Sequence, residues 1–313
     1  MSTTQNSNIE VIAPDGDFII KAGGQNGAQF KVSSTCLRAV NIALRSHLDL
    51  YLPLQPQGSR EINFPKDHPD ATREMLQMLH LRPSSAQVNV WPASKIREFA
   101  GTLKRYDLVH HLRYQAHAIL LEWFRNSDTE SSPIVCGDIV AAAYLLDHKA
   151  AFLRATRQLM RLCPGDLKDL AMEQCGLSLP IKVLSQLEAS REAAYDCVTY
   201  AMRGLLGDIC KECAVVEYNV VFEHARRQFE PEVWPPSLSG DDAVSLQAII
   251  DKTKTFPKLS VETGCMKHRH EKIVDFEGQA AQAERLSNGL CLACVQAFKV
   301  GSSADCNDPA HLD

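Results

Sequence analysis

Nowhere in the 313 residues do about 18 apolar side chains run together, so the sequence offers no helix able to span a membrane. The first ten residues are polar and lack the charged start and apolar stretch of a secretory signal. The expectation is therefore an intracellular protein of the nucleus or cytoplasm. Basic residues are not in excess. Lys and Arg number 33 against 38 Asp and Glu, a net charge of −5, which argues against a general polyanion binder. Tryptophan is scarce, and Trp91, Trp123 and Trp234 lie too far apart to form a base-stacking platform. The P-loop, His-Glu-x-x-His and Gly-x-Ser-x-Gly patterns are all missing. Gly23-Gly-Gln-Asn-Gly27 is glycine-rich but lacks dinucleotide spacing, and a strand rather than a helix follows it. A phosphate cradle needs the helix N-terminus, so these glycines read as a hairpin turn. No segment repeats with a period of about 20–50 residues. These absences leave no catalytic residues to assign, and we expect a protein that is not an enzyme.

What is present is an ordinary globular balance, 45% hydrophobic and 23% charged residues. The length predicts about two domains at ~150 residues each. Residues 1–14 are dominated by small polar side chains and read as a disordered lead. Asp17-Phe-Ile-Ile-Lys21, Gln29-Phe-Lys-Val32 and Arg60-Glu-Ile-Asn-Phe64 read as short strands, the last stopped by Pro65. Ser33 and Ser34 offer a cap to a helix carrying Leu37, Val40 and Leu44. Residues 67–79 open with a cap and Pro69, then place Ala71, Met75, Met78 and Leu79 on one face. From Pro92 the pattern is helical, with stripes at Ile96, Phe99, Ala100 and Leu103, then Leu112, Ala116, Ile119, Leu120 and Phe124. Polar residues 126–133 mark a boundary. Asp138 reads as the N-cap of a helix over 139–146, and further helices are expected over 150–162, 181–206, 209–228 and 276–286. Proline-rich residues 230–240 read as a linker.

This order of elements resembles the BTB/POZ fold, and local phrases match it. Gln29-Phe-Lys-Val-Ser-Ser34 with Leu37 resembles the family's step from second strand to first helix, with Ser33 where the family often has His. Glu61-Ile-Asn-Phe-Pro65 followed by Asp67 and Ala71 resembles its passage into the next long helix. Phe99-Ala-Gly-Thr-Leu-Lys-Arg-Tyr-Asp-Leu108 resembles the helix near the domain's end. The resemblance covers about residues 14–125. One departure is His80-Leu-Arg82, which stands where the family has Tyr-Thr-Gly. Downstream, Ala141-Ala-Ala-Tyr-Leu-Leu-Asp147 with Phe152, Thr156 and Arg157 is similar to the helical segment after the domain in BTB proteins of filamentous fungi. The resemblance implies an assembly module that dimerises, or that recruits cullin-type ubiquitin ligases or transcriptional corepressors. The hydrophobic-x-Glu signature of cullin binding is not evident in residues 45–60.

Eleven cysteines are an odd count for a closed disulfide set, and a reducing compartment disfavours disulfides. Cys36, Cys136, Cys163, Cys175 and Cys197 stand alone and read as small buried hydrophobes. The other six are patterned. Cys210-Lys-Glu-Cys213 and Cys291-Leu-Ala-Cys294 are C-x-x-C pairs. Cys265-Met-Lys-His268 is a C-x-x-H pair with His270 beyond it, and Cys306 precedes His311 by five positions. Zinc takes four thiolate or imidazole ligands in a tetrahedron, and pairs at this spacing grip one ion from a tight turn. Four half-sites supply enough ligands for two ions. Their pairing is open, and the favoured arrangement joins Cys210 and Cys213 to one other pair. Gly289-Leu-Cys-Leu-Ala-Cys-Val295 with a later Cys and His also resembles the ending of the fungal proteins, the last spacing being one residue longer.

Other readings stand beside zinc. Cys210 and Cys213 fit a plain helical i, i+3 pair, and Cys291 and Cys294 fit a redox dithiol, although no β-α-β pattern surrounds either. Lys267-His-Arg-His-Glu-Lys272 and Arg226-Arg227 are basic clusters, read as solvated faces in preference to nucleic-acid contacts. The expected architecture is therefore an α+β BTB/POZ-like N-terminal domain over 15–125, a mostly helical extension over 134–229, and a linker with a zinc-stapled Cys/His tail over 230–313. The expected function is protein–protein interaction, by self-association or partner recruitment. A cullin-ligase substrate adaptor and a nucleic-acid-binding regulator that reads through the tail are the alternatives.

Overall fold

The computed structural model describes residues 9–24, 27–51, 60–82, 91–126, 132–165, 167, 179–207, 238, 243–256, 259–262, 271–297 and 306. The helix expected over 209–228, residues 1–8 of the expected lead and nearly all of the proline-rich linker lie outside them. The chain divides into two compact units. One comprises residues 1–131 with 138–151, the other residues 132–137 with 152–313. No helix among the described residues is long and apolar enough to cross a membrane.

The first unit is built on a four-stranded sheet, ordered β1-β3-β2-β4. Strand β2 (Phe18–Ala22) buries Phe18, Ile20 and Ala22 and turns Ile19 and Lys21 outward, the period of two that a one-sided strand needs. It pairs antiparallel with β3 (Ala28–Val32). In the turn between them Gly23 adopts φ +91°, and an added Cβ there would meet Pro69 Cγ at 2.7 Å. Strand β4 (Arg60–Phe64) runs parallel to β2 on its other side, after helices α1 (Ser34–Val40) and α2 (Ile42–Tyr51). Strand β1 (Ile9–Val11) corrects the sequence reading of residues 9–11 as part of a disordered lead. It pairs parallel with β3, and its Glu10 carboxylate takes the Arg73 guanidinium at 2.7 Å. β-Branched Ile9 and Val11 suit the strand, and the ion pair gives Glu10 a fixed partner.

The single helix expected through Leu37, Val40 and Leu44 is two. Asn41 is fully extended, at φ −152° and ψ 167°, and its Oδ1 accepts the Leu44 amide at 2.6 Å, capping α2. Its Nδ2 donates to the carbonyls of Tyr106 and Asp107. In α3 (Pro69–Leu79) the cap is His68, whose ring accepts from the Asp70 amide, and Pro69 occupies the first turn. Asp67 turns inward instead. It is 3% exposed, accepts from the Tyr106 hydroxyl at 2.5 Å and ion-pairs with Arg105. Helices α4 (Ala93–Arg105) and α5 (Arg113–Asn126) bury the expected stripes.

Helix α6 (Pro133–Leu145) begins five residues before the expected cap at Asp138. Pro133 favours a first turn, and the Ser132 hydroxyl accepts the Val135 amide at 3.4 Å. Asp138 lies within the helix, buried, with Arg97 Nη1 at 2.6 Å from its carboxylate. Helix α7 (Lys149–Leu162) follows a tight turn through His148, whose ring stacks on His117 of α5 with centroids 4.0 Å apart.

In the second unit, the 27-residue α8 (Ile181–Gly207) packs Ala194 and Val198 against α9 (Leu246–Lys254) and α10 (Phe276–Leu286). Leu246, Ile249, Ile250, Phe276, Ala280 and Ala283 complete that core. The antiparallel pair β5 (Leu259–Glu262) and β6 (Glu271–Val274) lies between α9 and α10 in the chain. Buried Arg191 of α8 donates to the carbonyls of Cys163 and Gly165, tying the end of α7 to this helix.

Candidate metal centre

Cys291, Cys294 and Cys306 place their sulfurs within 4.8 Å of one another, and Cys294 Sγ lies 3.4 Å from Cys306 Sγ. Zinc holds thiolates at ~2.3 Å, so ligand sulfurs in a tetrahedron stand about 3.8 Å apart. The observed spacing brackets that value. Three soft thiol donors suit zinc, copper(I) or iron–sulfur chemistry and do not suit calcium or magnesium. Among the described residues this is the one group of three His, Cys, Asp or Glu side chains able to hold a metal ion. No disulfide links them.

The site is positioned from α7. Arg161 Nη2 donates to the Glu284 carbonyl at 2.8 Å, and its Nε to Ser287 at 3.2 Å. A cation there satisfies the last carbonyls of α10 and complements its negative end. Arg157 Nε donates to the Asn288 carbonyl at 3.0 Å. Gly289 then reverses the chain at φ +101° so close to α7 that an added Cβ would lie 2.2 Å from the Leu153 carbonyl oxygen. One residue on, the buried Thr156 hydroxyl accepts the Leu290 amide at 2.8 Å and donates to the Phe152 carbonyl at 2.7 Å. Leu290 is buried, and Cys291 starts the short helix α11 (Leu292–Gln296), with Cys294 one turn further. Four successive residues, 287–290, are thus fixed by α7 before the first thiol appears.

The environment disfavours free thiolates. Burial pushes the Cys294 thiol up to about 12, reinforced by hydrogen bonds with Cys306 and Cys291 and by the negative charge those two would carry. Cys294 therefore ionises readily only where a cation offsets that cost. A divalent metal reverses that balance, because it binds the thiolates and neutralises their repulsion.

Of the nine ligands expected from sequence, the structure brings together Cys291, Cys294 and Cys306. Cys210, Cys213, Cys265, His268, His270 and His311 lie outside the described residues, and so does the favoured pairing through Cys210 and Cys213. Of the lone cysteines expected to be buried, two of the four described are. Cys136 and Cys163 are buried, and burial, followed by the charge of Cys163, raises the Cys136 thiol to about 11. Cys36 and Cys197 are half-buried, and Cys175 lies outside the described residues. No local pattern marks Thr156, Arg157 and Arg161 as holding the turn before the thiol cluster. Their partners stand more than 120 positions away, beyond the reach of any local pattern. His117 and His148, which lack partners in sequence, partner each other.

No protein-family model, curated protein or solved structure matches the chain.

Proposed function

We propose that the chain is a non-enzymatic interaction protein whose C-terminal unit is stapled by a structural zinc ion at Cys291, Cys294 and Cys306. The observation that carries this reading is the convergence of the three thiols. Sulfur-rich zinc sites are typically closed and structural, and they supply folding energy to segments with little core. His311, five residues after Cys306 in the sequence, is the ligand we propose for the fourth position. Zinc there acts as a template, and the residues of α7 hold the first half of the site in register. The cysteines of the C-x-x-C pair are ligands on this reading, not a redox dithiol.

For the first unit we propose a BTB/POZ-like module for self-association or partner recruitment. Its support is the phrase-by-phrase sequence resemblance over residues 14–125, together with a sheet in which β2 pairs with both β3 and β4 and is followed by paired helices. The location we propose is intracellular.

Metal analysis of the full-length chain by mass spectrometry tests the first part. At least one equivalent of zinc is expected, lost in Cys294→Ser and retained in Cys136→Ser. Metal-free protein, kept reduced and never exposed to chelator, overturns the zinc reading. Light scattering tests the second part. A dimeric mass at tens of micromolar supports self-association, and a strictly monomeric mass removes it.

A further inference from the structure

We propose that Cys294 and Cys306 are an oxidation site, a cysteine pair that hydrogen peroxide converts to a disulfide with Cys291 left out. Expulsion of the metal is the consequence, and that part rests on the zinc reading above. Two observations favour this pair within the cluster. The first is contact, since their sulfurs are 3.4 Å apart; Cys291 also hydrogen-bonds Cys294, so the second decides. A disulfide needs ~2.05 Å, so closing the gap takes side-chain rotation of little more than an ångström. The second is access. Cys291 is 6% exposed, packed at the start of α11 beside buried Leu290 and Leu292, whereas Cys294 and Cys306 are both half-exposed. An oxidant from solvent reaches the latter two first.

The chemistry balances. One thiolate sulfur attacks a peroxide oxygen, the O–O bond breaks, hydroxide leaves, and a sulfenic acid forms. The second thiolate attacks that sulfur, the S–S bond forms, and the S–O bond breaks to release a second hydroxide. Two protons from solvent convert the hydroxides to water. The sulfurs are oxidised by two electrons, and the peroxide is reduced by the same two. A bound zinc ion, redox-inert itself, would hold both sulfurs as nucleophilic thiolates and would lose two ligands when they crosslink. The new crosslink joins α11 to a point 12 residues along the chain.

The experiment treats the zinc-loaded full-length chain with a small excess of hydrogen peroxide. A chromophoric chelator follows zinc release, and mass mapping of the digested protein locates the crosslink. The expected result is loss of two titratable thiols per zinc released, with the disulfide at Cys294–Cys306. Cys291→Ser is expected to form the same disulfide, and Cys306→Ser none. Zinc-loaded protein that forms a Cys291–Cys294 disulfide, or that is oxidised with no crosslink to Cys306, overturns this proposal and leaves the zinc reading standing. Protein that carries no zinc yet still crosslinks Cys294 to Cys306 upholds the oxidation site and overturns the zinc reading.

Discussion

Thr156 and Leu290 stand 134 residues apart in the chain, and the Thr156 hydroxyl accepts the Leu290 amide at 2.8 Å in a fully buried hydrogen bond. The same hydroxyl donates to the Phe152 carbonyl, so one side chain serves a helix and the turn that presents the first thiol of the cluster. Thr156→Val keeps the shape and removes both roles. An unsatisfied buried amide costs about 1–3 kcal/mol, and unfolding in denaturant should show a loss of that size. Thr156→Ser, which keeps the hydroxyl, is expected to lose less than half as much. Zinc affinity should weaken in the Val variant and hold in the Ser variant.

Two glycines give opposite signs on the same substitution. Gly289 combines φ +101° with a Cβ position 2.2 Å from the Leu153 carbonyl oxygen, so Gly289→Ala forces both a strained backbone and a backbone displacement. The expected cost is at least about 2 kcal/mol. Gly101 lies inside α4 with nothing within 4 Å of its Cβ position. Gly101→Ala should therefore stabilise by about 0.5–1 kcal/mol through reduced freedom of the unfolded chain. Thermal unfolding of both variants checks the pair.

These two glycines also mark what the sequence could tell. Strand β4 and helix α10 were legible because their signals are local, an alternation closed by Pro65 in one and the helical pattern over 276–286 in the other. The break at Asn41 was not legible. Its cause is a side chain that binds carbonyls 65 and 66 residues away. The α6 start was missed because Asp138 is a good cap by composition, yet tertiary pairing with Arg97 claims it. For the metal centre, residue type and spacing marked Cys291 and Cys294 as ligands, but partner choice depends on how α7 aims the turn. That aim is set by Arg157 and Arg161, whose sequence neighbours carry no trace of their distant partners.

Stability should fall with acid in a defined window. Burial is the main cause that lowers His148 to about 4, with the charges of His117 and Arg113 adding to it. His117 is lowered too, by burial and Arg113, against an opposing pull from Asp147. An unfolded histidine titrates near ~6.5. Between those values the unfolded state binds a proton that the native state refuses, so stability is fully present above about pH 6.5 and is lost progressively as pH falls toward about 4. His148 also accepts the Ala151 amide at the start of α7. His148→Asn retains an acceptor there and cannot titrate. Its stability between pH 4 and 6.5 should be flatter than that of the parent.

Tyr106→Phe isolates one buried hydrogen bond. Asp67 is nearly inaccessible and takes the Tyr106 hydroxyl at 2.5 Å alongside the Arg105 ion pair. The Phe64 and Tyr106 rings stack at 4.8 Å, a contact the substitution keeps. The loss is therefore that of one charge-assisted bond, about 1.5–3 kcal/mol. A double cycle with Asp67→Asn should show strong non-additivity, because the two share the interaction.

Metal binding should expel protons in a countable way. A zinc ligand must be a thiolate, and the Cys294 thiol, held up near 12 by burial and its two cysteine neighbours, carries its proton at neutral pH in the metal-free protein. Zinc therefore competes with that proton, and its apparent affinity must rise with pH. Calorimetry in buffers of different ionisation enthalpy counts the protons directly. The expected release is at least one proton per ion at pH 7, that of Cys294. Cobalt(II) in place of zinc should give an intense thiolate charge-transfer band that weakens in Cys294→Ser. Cys136→Ser should leave both the band and the proton count unchanged, because that buried thiol lies outside the cluster. A proton count near zero, with no cobalt–thiolate band, would remove these three sulfurs from the metal's coordination sphere.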